Sequence, residues 1–436
     1  MSNALMHKKT ERAIAVTILV EILESGAYAN IALRKALAKE ADILPRARAL
    51  ITELVNETLR NLLLIDHVIS TFSKTPLEKM KPFIRNLLRI SVCQLRHMEK
   101  IPDRAAVNEA VILTKAYGFT NLAGFVNGVL RNISRQPEKP ALPPMECTKP
   151  KSLALRYSYP QWIIIDLIKC LGEEKAKEFC QNSHLPPPIT IHANTHVTSI
   201  EALIQSLESE GVEGQALEYP FLSIRHTGDI SKLASFQKGL FFVMDPGAAL
   251  AVNILAPKSG QTIMDMCAAP GGKSFAMACL MENVGKIIAY DIHPHRVDLI
   301  NQTRRRLGLS IIEAGIGDGM VFDPAMESSA DGVLLDVPCS GFGTIRKHPE
   351  IKYTRNPADI HDLAEKQLQM LTNAARYVKP GGVLVYCTCT VCNEENSDNI
   401  GRFLTKHTNY RLENSQQLLP GGFTDGFFVA KLVRTV

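Results

Sequence analysis

Two cysteine-bearing turns carry the strongest chemical signal in the chain. Asp336-Val337-Pro338-Cys339 and Tyr386-Cys387-Thr388-Cys389-Thr390 set Cys339 and Cys389 fifty positions apart. Both lie downstream of a glycine loop, Cys267-Ala268-Ala269-Pro270-Gly271-Gly272-Lys273. Each of the three follows a strand-like segment, so in an open α/β sheet all would gather at the ligand edge. A thiol beside a cofactor loop suits covalent methylation of a pyrimidine. Carbon 5 of cytosine is too weak a nucleophile to take a methyl group unaided, and a thiolate added at carbon 6 turns it into an enamine. That thiolate needs a lowered pKa, for which a strand end, neighbouring donors and a cationic cofactor are the means. After transfer a base must remove the carbon 5 proton, which calls for a second polar residue in the same site. Spacing alone does not rank the two cysteines.

The glycine loop follows the apolar run Thr262 to Met266 and precedes a helical stretch, so its glycines let a cofactor approach backbone N–H groups at a helix N-terminus. It is not the dinucleotide fingerprint G-x-G-x-x-G, and a glycine turn also serves chain geometry alone. The acids after it decide. Asp291 ends the next strand-like run, 26 positions after Asp265, where such folds use an acid for ribose hydroxyls. Asp318, in Gly317-Asp318-Gly319, can reach an adenine edge, and Asp336 ends the fourth run. A single Asp at a strand end is often a cap or turn former. Acids after three successive strands, beside a turn with no pyrophosphate signature, fit S-adenosylmethionine. Cys387, Cys389 and Cys392 form C-x-C-x-x-C, half of a metal site, but no second cluster at zinc-ribbon spacing completes it, so no metal is expected.

The elements that must position these residues fall into three regions. Residues 5–136 read as an all-α bundle, with apolar residues recurring as Ile14, Ile18, Ile22; Ile51, Leu54, Val55, Leu62; and Phe83, Leu87, Leu88. Residues 137–150 form a proline-rich linker with Pro137, Pro140, Pro143, Pro144 and Pro150. Residues 151–238 read as a small α+β domain, with a helical stretch at Trp162 to Phe179, an extended Ile189 to His192, a helix at Ile200 to Leu207 and a strand at Phe221 to Arg225. From Gly239 to the end, strands alternate with helices as in a doubly wound, Rossmann-like sheet. Its strands are expected at Thr262 to Met266, Lys286 to Asp291, Ser310 to Ala314, Gly332 to Asp336 and Val383 to Tyr386, with helices at Ser274 to Met281, Pro294 to Leu307 and Ile360 to Val378. Gly426 to Val433 suits a last antiparallel edge strand.

Composition agrees with this reading. The chain has 436 residues, 46 % hydrophobic and 21 % charged, enough for two or three cores. A net charge of +5 permits an RNA partner without demanding one. Ten cysteines in this length do not make a disulfide scaffold, and at least six lie in or beside predicted elements, as in a reduced protein. Cys93, Cys170, Cys180 and Cys279 read as small buried hydrophobes. No segment has the roughly 20 apolar residues of a membrane span, and Ala13 to Val20 is broken by Glu21 and is not a signal peptide, so cytoplasm is the expected location. Ser2-Asn3-Ala4 resembles a cloning scar.

Local charge is more specific. Lys81, Arg85, Arg89, Arg96, Lys100 and Arg104 stand against Glu99 and Asp103, either a solvated helix face or an RNA-facing patch. Arg304 to Arg306 suits a solvated helix, whereas Arg346, Lys347, Lys352 and Arg355, following the Asp336 turn, suit phosphate contact. Any RNA would have to present an unstacked base.

The loop Cys-Ala-Ala-Pro-Gly-Gly-Lys, the turn Asp-Val-Pro-Cys-Ser-Gly-Phe-Gly, and Tyr-Cys-Thr-Cys-Thr followed by Asn393-Glu394-Glu395-Asn396 resemble the RNA cytosine-5 methyltransferase superfamily. Arg346-Lys347-His348-Pro349-Glu350-Ile351-Lys352-Tyr353 and Asp425-Gly426-Phe427-Phe428 resemble its bacterial small-subunit ribosomal RNA branch, known as RsmB, Sun or Fmu. Ile51 to Arg60, Ile101 to Ala110 and Gly124 to Asn132 are similar to the NusB-like helical domain of that branch, so the resemblance covers nearly the whole chain. It implies Cys389 as nucleophile and Cys339 as the residue assisting product release. Asp336 would bind the cofactor side or hold the base at ring nitrogen 3, and Cys267 to Lys273, Asp291 and Asp318 would hold S-adenosylmethionine. It also implies small-subunit ribosomal RNA as partner, gripped by the helical and small domains, with transfer RNA or another RNA as the alternative target and no obligate protein partner. A non-catalytic RNA-binding scaffold is the rival class, disfavoured because both cysteines, the acids and the glycine loop are present. Two departures stand out: Met244-Asp245-Pro246-Gly247-Ala248-Ala249 replaces a Gln-Asp pair, and His192 stands where a basic or polar residue is frequent.

Overall fold

The computed structural model describes residues 10–39, 43–144, 149–225 and 228–435; Ser2-Asn3-Ala4 lies outside them. The described residues form two compact units.

The first unit is helical and takes in the chain up to His184 together with a later segment, His348–Thr354. Its first helix, Glu11–Ser25, starts where Thr10 accepts a hydrogen bond from the Ala13 amide and stops at Gly26, whose left-handed conformation (φ 71°) closes the last turn. Helices Pro45–Arg60 and Pro82–His97 each begin with proline, which lacks the N–H that a first turn leaves unbonded. Ile18, Ile22, Ile51, Leu54, Val55, Leu87 and Leu88 meet in one core with Val126, Leu130 and Ile133 of helix Ala123–Arg135, each fully buried aliphatic contributing about 1.5–3 kcal/mol. Phe83, expected in that core, lies at its rim, stacked 4.0 Å from Tyr117.

The expected helix at Trp162 to Phe179 is two helices, Gln161–Leu171 and Glu173–His184, because Gly172 turns the chain at φ 80°. Both belong to the helical unit, together with Pro150–Arg156. The late segment is anchored there at three points. Glu350 accepts the Ala29 amide (3.0 Å) at the start of helix Ala29–Lys39. The Lys352 ammonium, fully buried over the rings of Tyr159 and Tyr353, donates to the carbonyls of Arg60 (2.8 Å) and Tyr157 (3.2 Å). The Tyr353 hydroxyl lies 2.9 Å from Leu59 O.

The second unit holds two sheets. The smaller has strands β1 (Ile189–Ala193), β2 (Glu213–Ala216), β3 (Phe221–Arg225) and β4 (Phe241–Val243) in the antiparallel order β2-β3-β1-β4. Its fourth strand thus lies beyond residue 238, where the small domain was expected to end. The larger contains β5 (Thr262–Met266), β6 (Lys286–Asp291), β7 (Ile312–Ile316), β8 (Ala330–Asp336), β9 (Val378–Thr388), β10 (Tyr410–Leu418) and β11 (Phe427–Arg434). The order is β10-β11-β9-β8-β5-β6-β7, with β5 to β9 parallel and the last two antiparallel. The expected closing strand is therefore interior, and the polar β10 is the edge.

His192 serves packing. It lies buried in β1, stacked on Phe242 (4.6 Å) and edge-on to Phe221 (5.0 Å), with Nδ1 2.7 Å from Ala193 O. Burial pushes its pKa down from 6.5 to about 4, against that backbone bond. Above pH 6.5 neither folded nor unfolded His192 is protonated. Between 6.5 and 4 the unfolded chain binds a proton that the folded one refuses, so stability falls as pH falls through this window and levels off below it. The expected loss is roughly 3 kcal/mol. His192→Phe should remove most of it, read as the difference between urea midpoints at pH 7 and pH 4.5; an undiminished difference would assign the acid sensitivity elsewhere.

Among the described residues no helix is long and apolar enough to cross a membrane, and the nine described cysteines are free. Cys93, Cys180 and Cys279 are buried as expected of small hydrophobes, and Cys170 is half-buried.

Candidate active site

The chain order β5, β6, β7 runs outward in the large sheet and then returns to place β8 on the other side of β5. This reversal opens a crevice at the carboxyl ends of β5 and β8, where α/β sheets hold ligands. Lys273, in the first turn of helix Gly272–Leu280, and Asp336, at the end of β8, meet across it, Nζ to Oδ2, at 2.6 Å. The ammonium also lies 4.9 Å from the centroid of the Phe427 ring. Burial, the largest single influence, would lower the lysine's pKa; Asp336, together with Cys387 and Asp265, outweighs it and raises the value above 10.5. Cys387, in register with Asp336 on β9, donates to its other oxygen at 3.5 Å.

Parallel pairing of β8 with β9 also brings the two cysteine turns together. Cys339 Sγ and Cys389 Sγ are 3.2 Å apart. The Cys339 turn folds back so that Gly343 N donates to Cys389 O (2.9 Å) and Gly343 O accepts from Gly426 N (2.9 Å). A Cβ at Gly343 would run into the Gly426 carbonyl and stand 2.8 Å from Cys389 O, so only glycine permits this approach. Contact with Cys389 first, then burial, pushes the Cys339 thiol well above its usual value, and Glu395 and Asp336 add to the shift.

The glycine loop leaves β5 through Cys267, at φ 61°, whose thiol is pushed up to about 12 by burial and by the carboxylates of Asp336, Asp291, Asp265 and Asp318. Ala268 N donates to Tyr290 O at 2.7 Å, tying the loop to β6. Ala269-Pro270 is cis, and Gly271 takes a left-handed φ of 106° that folds it over the Phe275 ring. Gly272 then starts the helix. Asp291 accepts the His293 amide (2.9 Å) and faces Arg296 at 3.9 Å; Asp318 accepts the Met320 amide at 2.9 Å. Asp265, fully buried in β5, takes the Ser274 hydroxyl on one oxygen while the other has no partner, and burial raises its pKa to about 7. The structure thus gathers Cys267 to Lys273, Asp291, Asp318, Asp336, Cys339 and Cys389 at the carboxyl edge of one sheet.

The basic runs do not form the phosphate cradle expected of them. Arg346 is buried against the carbonyls of Gly422 and Thr424. Lys347 bridges Asp245 (2.8 Å) and Asp425 (2.7 Å), and Arg355 reaches Ser340 O at 3.4 Å. Lys352 is buried in the helical unit. Desolvating these cations is offset by internal acceptors, which leaves them little to offer a phosphate. In the earlier patch Arg85 pairs with Glu24 (2.6 Å), Arg89 with Asp66 (2.7 Å), and Arg96 takes the carbonyls of Gln136 (3.0 Å) and Lys139 (2.8 Å); Lys81, Lys100 and Arg104 are exposed. In Arg304 to Arg306, Arg304 bonds Asn301, while Arg306 donates to Phe236 O and Phe241 O and covers the Phe236 ring, so the last is a packing residue as well.

Sequence reasoning missed Asp245, Lys347 and Asp425 as one cluster. Asp245 caps helix Pro246–Leu255 and also accepts the Asp425 amide, and burial, with Asp245 alongside, raises the Asp425 carboxyl to about 6 despite Lys347. It also missed Glu395, which lies under both cysteine turns. Its place in the quoted Asn-Glu-Glu-Asn run was the available signal. Among the described residues no group of three or more His, Cys, Asp or Glu has metal-holding geometry.

Comparison with known proteins follows this layout. Residues 252–433 match the family described as 16S rRNA methyltransferase RsmB/F. Residues 9–135 match the NusB family, and 159–225 the ferredoxin-like domain of RsmF/B-like methyltransferases. A "Probable ribosomal RNA small subunit methyltransferase B" of Bacillus subtilis (strain 168) is 37 % identical, covering 98 % of this chain and 99 % of that protein. The chain belongs to the RsmB/F family. A "Ribosomal RNA small subunit methyltransferase B" of Shewanella oneidensis is 33 % identical, over 97 % of this chain and 99 % of that protein. Among solved structures, that of PH0851 superposes with a TM-score of 0.80 at 27 % identity, covering 96 % of this chain and 98 % of the other. NSun6 from Pyrococcus horikoshii with SFG shares the fold over 64 % of this chain and 98 % of its own (TM-score 0.57, 23 % identity).

As an RsmB/F methyltransferase the chain uses S-adenosylmethionine. Its residues fit that molecule. The unpartnered Asp265 oxygen is a buried acceptor beside the glycine turn, the acids Asp291 and Asp318 suit hydroxyl and amino donors, and no phosphate-binding fingerprint competes.

Proposed function

We propose that this RsmB/F member methylates carbon 5 of a cytosine in small-subunit ribosomal RNA through a covalent cysteine adduct. The observation that carries this reading is the pair of thiols, 3.2 Å apart, beside the half-buried Lys273–Asp336 pair. The names of the full-length relatives support the RNA.

In this mechanism the Cys389 sulfur, as thiolate, adds to carbon 6 and accepts a hydrogen bond from the Cys339 thiol. The added electron pair moves toward carbon 5, and Asp336, held by Lys273, faces the base at ring nitrogen 3. Bound S-adenosylmethionine supplies the electrophilic methyl group. Asp265, Asp291, Asp318 and the loop from Cys267 to Lys273 orient it. A base then takes the carbon 5 proton and passes it to water, and the freed C–H electron pair restores the double bond and expels the Cys389 thiolate, with Cys339 as the second polar residue assisting this release. Helical and ferredoxin-like domains grip the flanking RNA, and Lys81, Lys100 and Arg104 are the exposed cations of the expected patch.

Only carbon 5 chemistry releases the hydrogen at that position. Small-subunit ribosomal RNA carrying tritium at cytosine carbon 5 should lose it to water in step with methyl incorporation, one for one. Methyl incorporation with full tritium retention would move the reaction to another atom of the RNA.

A further inference from the structure

We propose that Glu395 is a positioning residue that fixes the distance between the two cysteine turns, an inference that rests on the covalent reading above. Its side chain is fully buried, and its carboxylate takes hydrogen bonds from Ser340 and Gln367. One oxygen accepts the Ser340 amide (2.8 Å) and the Gln367 side-chain amide (2.9 Å); the other accepts the Ser340 hydroxyl. Ser340 directly follows Cys339. Its hydroxyl has a single proton, which goes to the carboxylate, so the Thr390 hydroxyl, 2.7 Å away, must donate to Ser340. Thr390 directly follows Cys389. One carboxylate therefore holds the residue after each cysteine, through a chain of three groups in which Ser340 lies 50 positions from Thr390 and 55 from Glu395.

The clamp is itself braced. Gln367 also donates to Pro338 O (2.9 Å), the residue before Cys339. The Tyr386 hydroxyl donates to the backbone carbonyl of Glu395 (2.6 Å). Asn396 accepts the Thr388 hydroxyl (2.6 Å) and donates to Thr390 O (3.2 Å), so both residues flanking Cys389 are tied to the Glu395 turn. A buried carboxylate is costly unless every lone pair is used. Burial raises the Glu395 pKa, while Ser340, Gln367 and the nearby Arg355 oppose that shift. Such a group serves geometry: separation of the two sulfurs decides whether Cys339 can act on an adduct formed by Cys389, and a misplacement of about 1 Å costs on the order of 100-fold.

The test uses full-length protein with S-adenosylmethionine and small-subunit ribosomal RNA. Glu395→Gln has the same shape but turns one acceptor into a donor facing the Ser340 hydroxyl; Ser340→Ala cuts the link to Thr390 and leaves the carboxylate in place. Both variants should lose kcat, Glu395→Gln on the order of 100-fold, with KM for RNA and for S-adenosylmethionine little changed. Both should also accumulate a protein–RNA adduct on denaturing gels although Cys339 is intact. Cys339→Ala is run alongside. If Cys339→Ala gives the adduct and neither clamp variant does, the positioning role is overturned and the covalent reading stands. If Cys339→Ala gives none, the covalent reading itself fails.

Discussion

Cys389→Ala protein incubated with S-adenosylmethionine and small-subunit ribosomal RNA gives no methylated product and no adduct, whereas Cys339→Ala protein remains bound to the RNA through a denaturing gel. The asymmetry is expected because the sulfurs, 3.2 Å apart, would act at opposite ends of one reaction. Without the first no enamine forms, and the barrier returns to that of unaided cytosine, a loss of 1000-fold or more, since removing a nucleophile removes the step it makes possible (roughly 4 kcal/mol for each 1000-fold). Without the second, addition and methyl transfer proceed and release stalls. Methylation surviving in Cys389→Ala, with no adduct in any variant, would reassign the nucleophile.

The second large effect concerns the ion pair. Asp336→Asn should lower kcat by about 1000-fold and destabilise the protein by about 2–4 kcal/mol, because it leaves the Lys273 ammonium in a low-dielectric crevice without its counter-charge. Catalysis and stability can be separated. In Lys273→Met/Asp336→Asn no charge is left unpaired in the crevice, so most of the stability should return while activity stays lost. Equilibrium unfolding in urea and single-turnover methyl transfer together check this. A double variant as unstable as Asp336→Asn would mean that the aspartate contributes through Cys387 and the backbone rather than through the lysine.

The parallel strands were legible in the sequence because their apolar runs are short and bounded: β5 and β6 occupy the residues expected of them. Strand β7 begins at Ile312, two residues later than expected, since the Asn283 side chain accepts the amides of Ser310 (2.9 Å) and Ile311 (3.3 Å), leaving Ile311 only its carbonyl bond to Ile287 N (2.8 Å). Strand β10 was missed because Tyr410–Leu418 is polar and exposed over most of its length, as an edge strand can be, and without it Phe427–Arg434 looked like the edge. That the residues at the strand ends share one sheet edge could be read from chain order alone. Glu395 could not, because its partners come from positions 340 and 367, and only the folded sheet and its packed helix bring these together. Nor could the fate of the basic residues be read. Whether Arg346 or Lys347 faces water depends on the carbonyl of Gly422 and the carboxylates of Asp245 and Asp425, remote in sequence.

Segment His348–Thr354 bears on how the protein is made. The helical unit leaves the ribosome first, yet the amide of Ala29 and the carbonyls of Arg60 and Tyr157 wait for Glu350 and Lys352. The 163 positions between His184 and His348 take roughly 8–33 s to translate at about 5–20 residues per second. Throughout that interval the nascent bundle lacks its final anchors, so a message cut short before codon 348 yields a helical unit that no refolding can complete.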